Sequence, residues 1–226
     1  MSIIPWLEDT GFVFPDVSTA LTEPDGLLAA SEQLTPELVI EAYQHGIFPW
    51  YSEGQPVLWW SPDPRCVLYP ENFHVSRSFR RTLNKNLIEV RTDTVFREVM
   101  LACAAPRSSK PGAGATGTWI TGTMLAIYCQ LHEAGFAHSI ECWHEDKLVG
   151  GMYGLMMGNI FFGESMFSRM ENASKVAMHY VCTTIKPFLI DAQVSSDHLH
   201  TLGAEVIARH KFTRLIKEHM LTPLNF

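Results

Sequence analysis

Gly158-Asn159-Ile160-Phe161-Phe162-Gly163-Glu164-Ser165-Met166-Phe167-Ser168-Arg169 reads as a turn, a strand and the approach to a helix. Gly158-Asn159 is the turn signal, Ile160-Phe161-Phe162 a buried strand, and Gly163 a place where a backbone or ligand comes close. Glu164 then stands among large apolar neighbours, where a carboxylate is costly unless something pairs with it. A binding site for a hydrophobic group beside a basic one is expected here. The alternative is a core strand whose Glu caps a helix or meets an arginine.

Working outward, residues 137–144, 147–157 and 159–163 form a meander of three antiparallel strands, turned at Glu145-Asp146 and Gly158-Asn159. A helix over residues 172–185 follows, then a short strand over 188–194. That helix must return the chain to lie parallel beside an earlier strand, through a right-handed crossover. Ser195 or Ser196 caps another helix, and a basic helix over 209–220 ends the chain.

Upstream, residues 65–69 read as a strand, a helix starts near Ser76, and 87–91 and 94–104 read as strand and helix. Residues 106–117 form a loop with Gly112, Gly114 and Gly117, but lack the Gly-Lys-Ser/Thr of a phosphate loop. Thr118-Trp119-Ile120-Thr121 leads into a helix ending near Glu133, with Gly135 in its capping region. This order resembles the GNAT (acyl-CoA N-acyltransferase) fold, an α+β body with a mixed, mostly antiparallel sheet; fold by itself does not assign function.

The first thirty residues read as an irregular wrap, rich in Pro, Asp and Gly. Thr35 as N-cap, Pro36 and Glu37 open a helix that Gly46 closes. An aromatic turn over 47–51 and a strand over 57–60 come next. Ser61-Pro62-Asp63-Pro64 then breaks the chain, which divides it into a small acidic N-terminal lobe, residues 1–64, and a GNAT-like domain, residues 65–226.

Charge follows the same division. Residues 1–64 carry ten acids and no Lys or Arg, so residues 65–226 hold all 17 basic residues against the remaining 14 of the 24 acids. Arg77, Arg80, Arg81, Lys85 and Arg91 face only Glu89 locally. A net charge of −7 therefore conceals a cluster that permits contact with nucleic acid, although a solvated helix face is the plainer reading. Five scattered cysteines without a Cys-x-x-Cys pair fit a reducing cytosol and argue against a disulfide framework or structural zinc. There is no basic segment before an apolar run at the amino terminus, and no stretch approaches the ~18 apolar residues of a membrane span.

Three constellations bear on chemistry. Asp191-x-Gln193 lies within a strand, so both side chains share a face, and the carboxylate can accept from the Gln amide and polarise it. A structural hydrogen-bond pair is the alternative. The aromatic and thioether side chains are more numerous than a small core needs; Trp50 and Trp119, each beside a loop, are the best placed for stacking on a base. His198-x-His200 beside Asp197 does not make a metal site, because i and i+2 face apart on a helix. No Gly-x-Ser-x-Gly elbow supports serine catalysis.

Ala42-Tyr43-Gln44-His45-Gly46-Ile47-Phe48-Pro49-Trp50, Leu58-Trp59-Trp60-Ser61-Pro62-Asp63-Pro64-Arg65 and Gly163-Glu164-Ser165-Met166-Phe167-Ser168 closely resemble the bacterial leucyl/phenylalanyl-tRNA–protein transferase family. The resemblance extends from about Leu27 to Gly203. The loop 106–117 and the short carboxyl end depart from it. It implies a cytoplasmic, monomeric enzyme without metal or organic cofactor. Such an enzyme moves Leu, Phe or Met from aminoacyl-tRNA to the N-terminal Arg or Lys of proteins, creating an N-degron.

By the same resemblance, Asp191 and Gln193 are the catalytic relay and Trp50 and Trp119 hold the terminal adenosine. Tyr128, Met152, Phe161 and Ile190 line the aminoacyl pocket, and Glu164 lies close to the acceptor amine. The charge cluster supplies Arg77, Arg80, Arg81 and Lys85 as tRNA-binding residues. Two other functions remain open from the residues: a CoA-dependent GNAT acetyltransferase, and a non-catalytic binder of N-terminal Arg or Lys peptides. The stretch Phe167-Ser168-Arg169-Met170-Glu171-Asn172-Ala173-Ser174 has no glycine where CoA enzymes cradle pyrophosphate, which counts against the first.

Overall fold

A computed structural model describes residues 4–8, 13–105, 120–222 and 226. The N-terminal part contains β1 (Trp6–Leu7), β2 (Leu27–Ser31), α1 (Pro36–Gln44), β3 (Phe48–Pro49) and β4 (Val57–Trp60), with its sheet ordered β1-β2-β4-β3. The irregular wrap expected over the first thirty residues is corrected here. Leu27–Ser31 is a fully buried strand between β1 and β4. Its short run, covered on both faces, shows none of the alternation that marks a half-buried strand.

Helix α1 begins as its sequence dictates: the Thr35 hydroxyl accepts from Leu38 N–H, and Pro36 occupies the first turn. Gly46 ends this segment at φ +75, and a Cβ there would press on Phe212 and Ile216 at 3.1 Å. Only glycine satisfies both the turn and that contact.

The body contains β5 (Arg65–Leu68), α2 (Arg77–Asn84), β6 (Glu89–Thr92), α3 (Phe96–Ala104), α4 (Gly122–Glu133), β7 (Ala137–His144), β8 (Lys147–Met157) and β9 (Ile160–Ser168). After these come α5 (Ala173–Tyr180), β10 (Leu189–Gln193), α6 (Asp197–Thr201), β11 (Glu205–Ile207) and α7 (Arg209–His219). The sheet runs β11-β5-β10-β9-β8-β7-β6. Strands β7 to β9 are the predicted meander, except that β9 runs on to Ser168 beyond the expected end at Gly163, and β10 lies parallel to β9 after the α5 crossover. Every other pair in this sheet is antiparallel, so the body is the mixed, GNAT-like α+β arrangement that the order of elements predicts. Strand β11, only three residues long, carried no readable sequence signal, and α5 ends earlier than expected, continuing as a π turn over Val181–Ile185.

Alternate residues of β9 belong to different apolar clusters. Ile160 and Phe162 join Tyr43, Val99, Met124 and Tyr128 beneath α1, α3 and α4, together with the N-terminal sheet. Phe161 joins Met152, Ile190, Phe79 and Met178 beneath α2 and α5. The basic helix α2 therefore covers the same face of the sheet as Met152 and Ile190. Gly154 on β8 makes the centre tight: a Cβ would lie 2.2 Å from the Phe162 carbonyl oxygen.

Candidate active site

Parallel pairing of β9 with β10 stops at Phe162 and Asp191. Just beyond, both strands are irregular. On β9, Gly163 faces Gly154 and Ser165 faces Tyr153, which leaves Glu164 as the extra residue of a bulge. On β10, Asp191 faces Val67 and Gln193 faces Cys66, so Ala192 is extra and Gln193 takes φ 55. Bulges bend strands and re-aim side chains. Between the two lies an open cavity of about 500 Å³. Met152, Gly163, Met166, Met178, Ile190 and Leu199 supply its apolar lining, and Glu164, Asp191, Gln193 and His198 its polar one.

Among the described residues Glu164 makes no ion pair and caps no helix, the two roles its sequence context suggested. Its Oε1 accepts from the Tyr43 hydroxyl at 2.6 Å and from Gln193 Nε2 at 3.3 Å, and its Oε2 accepts from the Tyr128 hydroxyl at 3.1 Å. Burial pushes its pKa up to about 7, against the opposing pull of the two tyrosine hydrogen bonds. Tyr43 and Tyr128 are themselves pushed well above the ordinary phenol value, first by burial and then by this carboxylate, so both remain neutral donors.

This has a consequence for stability. The unfolded chain releases the Glu164 proton near the ordinary value of 4.5, the folded chain near 7. Stability contributed by this group is therefore complete below pH 4.5 and is lost as pH rises through 7. We expect a loss on the order of 2–3 kcal/mol across that window, absent in Glu164→Gln. Urea denaturation of both proteins at several pH values measures it; parallel curves would exclude it.

Asp191 behaves otherwise than predicted. Its carboxylate is gripped by Arg65, Nε to Oδ1 at 2.8 Å and Nη2 to Oδ2 at 2.6 Å, with both side chains fully buried. The backbone N–H of Gln193 also donates to Oδ1, at 3.0 Å. The Gln193 side-chain amide turns to Glu164 instead, so the expected Asp191–Gln193 side-chain bond is replaced by a backbone bond that fastens the bulge. The even spacing failed because Ala192 is inserted between them. Arg65 donates its remaining Nη1 to the Gly46 carbonyl at 3.0 Å and lies between the rings of Phe48 and Phe212, 4.8 and 4.6 Å from their centroids. Bidentate pairing with cation–π contact on both faces is how a guanidinium is accommodated without water.

Sequence reasoning missed Arg65 and Tyr43 as site residues, although both stand inside the quoted motifs. A charged side chain opening an apolar strand was the available signal for Arg65.

Of the other predicted residues, Met152 and Ile190 line the cavity. Phe161 is fully buried in the same apolar cluster, 3.8 Å from where a Gly163 Cβ would stand. Tyr128 approaches from the opposite apolar cluster and meets the site through its hydroxyl. Trp50 is half exposed and packs on Trp60, centroids 5.7 Å apart, while its carbonyl accepts from the Trp60 indole. Trp119 and the loop 106–117 lie outside the described residues. Arg77, Arg80 and Arg81 on α2, and Lys85 capping its end, are exposed, without an ion-pair partner among the described residues. Arg91 leaves their cluster by pairing with Glu89 at 2.8 Å and lying over Trp143.

Residues 67–217 match the family model described as leucyl/phenylalanyl-tRNA protein transferase, and residues 32–63 match the one for its N-terminal domain. The chain is 51% identical to the leucyl/phenylalanyl-tRNA–protein transferase of Cellvibrio japonicus over 99% of its own length and 94% of that protein's. Against the protein of the same name from Pseudomonas putida it is 50% identical, covering 98% of this chain and 97% of that one. A GCN5-related N-acetyltransferase from Kribbella flavida superposes with a TM-score of 0.37 at 12% identity, over 80% of this chain and 65% of its own. On the sequence matches, this chain belongs to the leucyl/phenylalanyl-tRNA protein transferase family.

Proposed function

We propose that this protein transfers Leu, Phe or Met from aminoacyl-tRNA to the N-terminal Arg or Lys of acceptor proteins, marking them for degradation. It works in the cytoplasm, as a monomer and without metal or organic cofactor. The observation that carries the reading is one cavity, in a chain of this family, with an apolar thioether and isoleucine wall facing a carboxylate and an amide. The wall suits an aliphatic or aromatic aminoacyl side chain, and the carboxylate a cationic chain end.

The reaction asks little covalent chemistry of the enzyme. The ester is already activated, so holding amine and carbonyl together supplies much of the rate; effective molarities of roughly 10⁵ M or more are attainable. An acetyltransferase reading finds no support at the entry to α5. Ser174 N–H donates to Ser168 Oγ and Ala173 N–H to the Met170 carbonyl, so these amides are already engaged.

The direct experiment incubates the protein with labelled Leu-tRNA and an Arg-initiated peptide, omitting CoA and metals. Label on the peptide is expected; none would overturn the reading. Selectivity gives a second check. Met152 is flexible enough to close around Leu and to yield to Phe. Met152→Val should therefore shift the Leu-to-Phe rate ratio toward Phe by roughly tenfold, the scale of one methylene contact. An unchanged ratio would remove Met152 from the pocket wall.

A further inference from the structure

Transfer to an α-amine leaves one proton unassigned. Near pH 7 much of the acceptor is an α-ammonium, with a reference pKa of about 7.7–8.0, and its nitrogen cannot attack until it loses a proton. Gln193 is a neutral amide and a poor base. Asp191 has one oxygen accepting from Arg65 and the other from both Arg65 and the Gln193 backbone, so both oxygens are already occupied as acceptors.

We propose that Glu164 is the proton acceptor for the incoming α-ammonium, and that the Gln193 side-chain carbonyl holds the same nitrogen. This rests on the transfer reading above. Glu164 is on the cavity wall, and no ion pair engages it among the described residues. Its oxygens are aimed by Tyr43, Tyr128 and Gln193, all neutral donors that orient a carboxylate without neutralising it. Because a carboxylate only accepts, it is the nitrogen of the Gln193 amide that faces Glu164. The Gln193 Oε1 remains without a protein donor among the described residues, as the second acceptor for an ammonium. The bulge at Glu164 and that at Ala192 bring the two side chains into one cavity.

Among the described residues, the charged and titratable groups around Glu164 and its cavity come from six elements: Tyr43 on α1, Tyr128 on α4, Tyr153 on β8, Asp191 on β10, Arg65 on β5 and His198 on α6. Burial dominates among them and raises the Glu164 pKa to about 7, which Asp191 reinforces and Arg65 opposes. A base matched to within about one unit of the amine exchanges a proton with it at little cost.

The balance of the step is complete. The ammonium gives one proton to the Glu164 carboxylate, and the neutral nitrogen forms a bond to the ester carbonyl carbon. The carbon–oxygen bond to the ribose breaks, and the second nitrogen proton goes to that ribose oxygen. The products are an amide, a free ribose hydroxyl and a protonated Glu164, which returns its proton to solvent.

The test measures transfer from Leu-tRNA to Arg-initiated peptides at pH 5.5–8.5, with spontaneous ester hydrolysis subtracted. It uses the unmodified protein, Glu164→Gln and Tyr43→Phe, each checked for folding by circular dichroism, and two acceptors whose amine pKa values differ. No transfer by the unmodified protein overturns the functional reading itself. If transfer occurs, the expected kcat/KM profile is a bell. Its rising limb near pH 7 belongs to the enzyme and stays fixed, and its falling limb moves with the acceptor amine.

Glu164→Gln should lose the limb fixed near pH 7, leaving a rise that follows the acceptor amine, and lose about 10²-fold in kcat, the scale of general base catalysis. Tyr43→Phe removes a hydrogen bond that lowers the Glu164 pKa, so its rising limb should move to higher pH. Three results each overturn the proposal: a limb fixed near pH 7 that persists in Glu164→Gln, a rising limb in the unmodified protein that follows the acceptor amine, or a Glu164→Gln defect confined to KM. Should Glu164→Gln fail to fold, Tyr43→Phe decides: an unmoved rising limb in that variant overturns the proposal too.

Discussion

Arg65→Met is expected to destabilise the protein by about 3–5 kcal/mol and to abolish transfer, although Arg65 does not line the cavity. The cost arises from what is left behind. Asp191 is fully buried, and without Arg65 its carboxylate has only the Gln193 backbone N–H for company. The Gly46 carbonyl, which accepts Arg65 Nη1, loses a donor as well. Arg65→Lys should fare only slightly better, because an ammonium cannot reproduce the planar fork or lie flat between Phe48 and Phe212.

The double replacement Arg65→Met/Asp191→Leu removes both charges and should recover part of the stability, yet not the transfer. The bulge that aims Gln193 is fastened by the Asp191 carboxylate, and leucine cannot accept that hydrogen bond. Denaturant titration and a transfer assay on the same preparations check both halves. A single Arg65→Met variant within about 1 kcal/mol of the unmodified protein would mean that the pair is dispensable.

Reversing Arg80 and Arg81 to Glu should lower kcat/KM for intact aminoacyl-tRNA on the order of 10²-fold. The same variant should use a minimal aminoacyl-adenosine donor as well as the unmodified protein does. Both residues project from α2 into solvent, on the helix that covers the Met152 and Ile190 face of the sheet. Phosphate contacts of this kind fix position without reading sequence, and they make binding salt-dependent. Raising salt should accordingly slow the unmodified protein on tRNA more steeply than it slows the variant. An equal loss on both donors would place the defect in the cleft and not on this surface.

Local signals served well where local chemistry decides. Thr35 and Pro36 open a helix because the hydroxyl meets an orphan N–H and proline needs none there. Glu145 and Asp146 turn β7 into β8, both with positive φ, and Gly158-Asn159 turns β8 into β9. The meander and the parallel return of β10 follow from those turns and from crossover handedness. The same reasoning misjudged β2, a strand covered on both faces, and it misread the Asp191–Gln193 spacing, because period-two alternation assumes that no residue is inserted.

What the sequence by itself determined, then, is the order of elements from the meander to the crossover, the mixed topology that follows from it, and some of the residues lining the cleft, Met152, Glu164, Ile190 and Gln193 among them. Those depend on backbone torsions and on neighbours within a turn or a strand. The choice of partners was decided only by the tertiary structure. Tyr43 finds Glu164 across 121 positions, and Arg65 finds Asp191 across 126. Which carboxylate is neutralised by a cation and which is held by neutral hydroxyls depends on what folding removes from water and on where two bulges aim the chain. No spacing of residues along the chain carries that information.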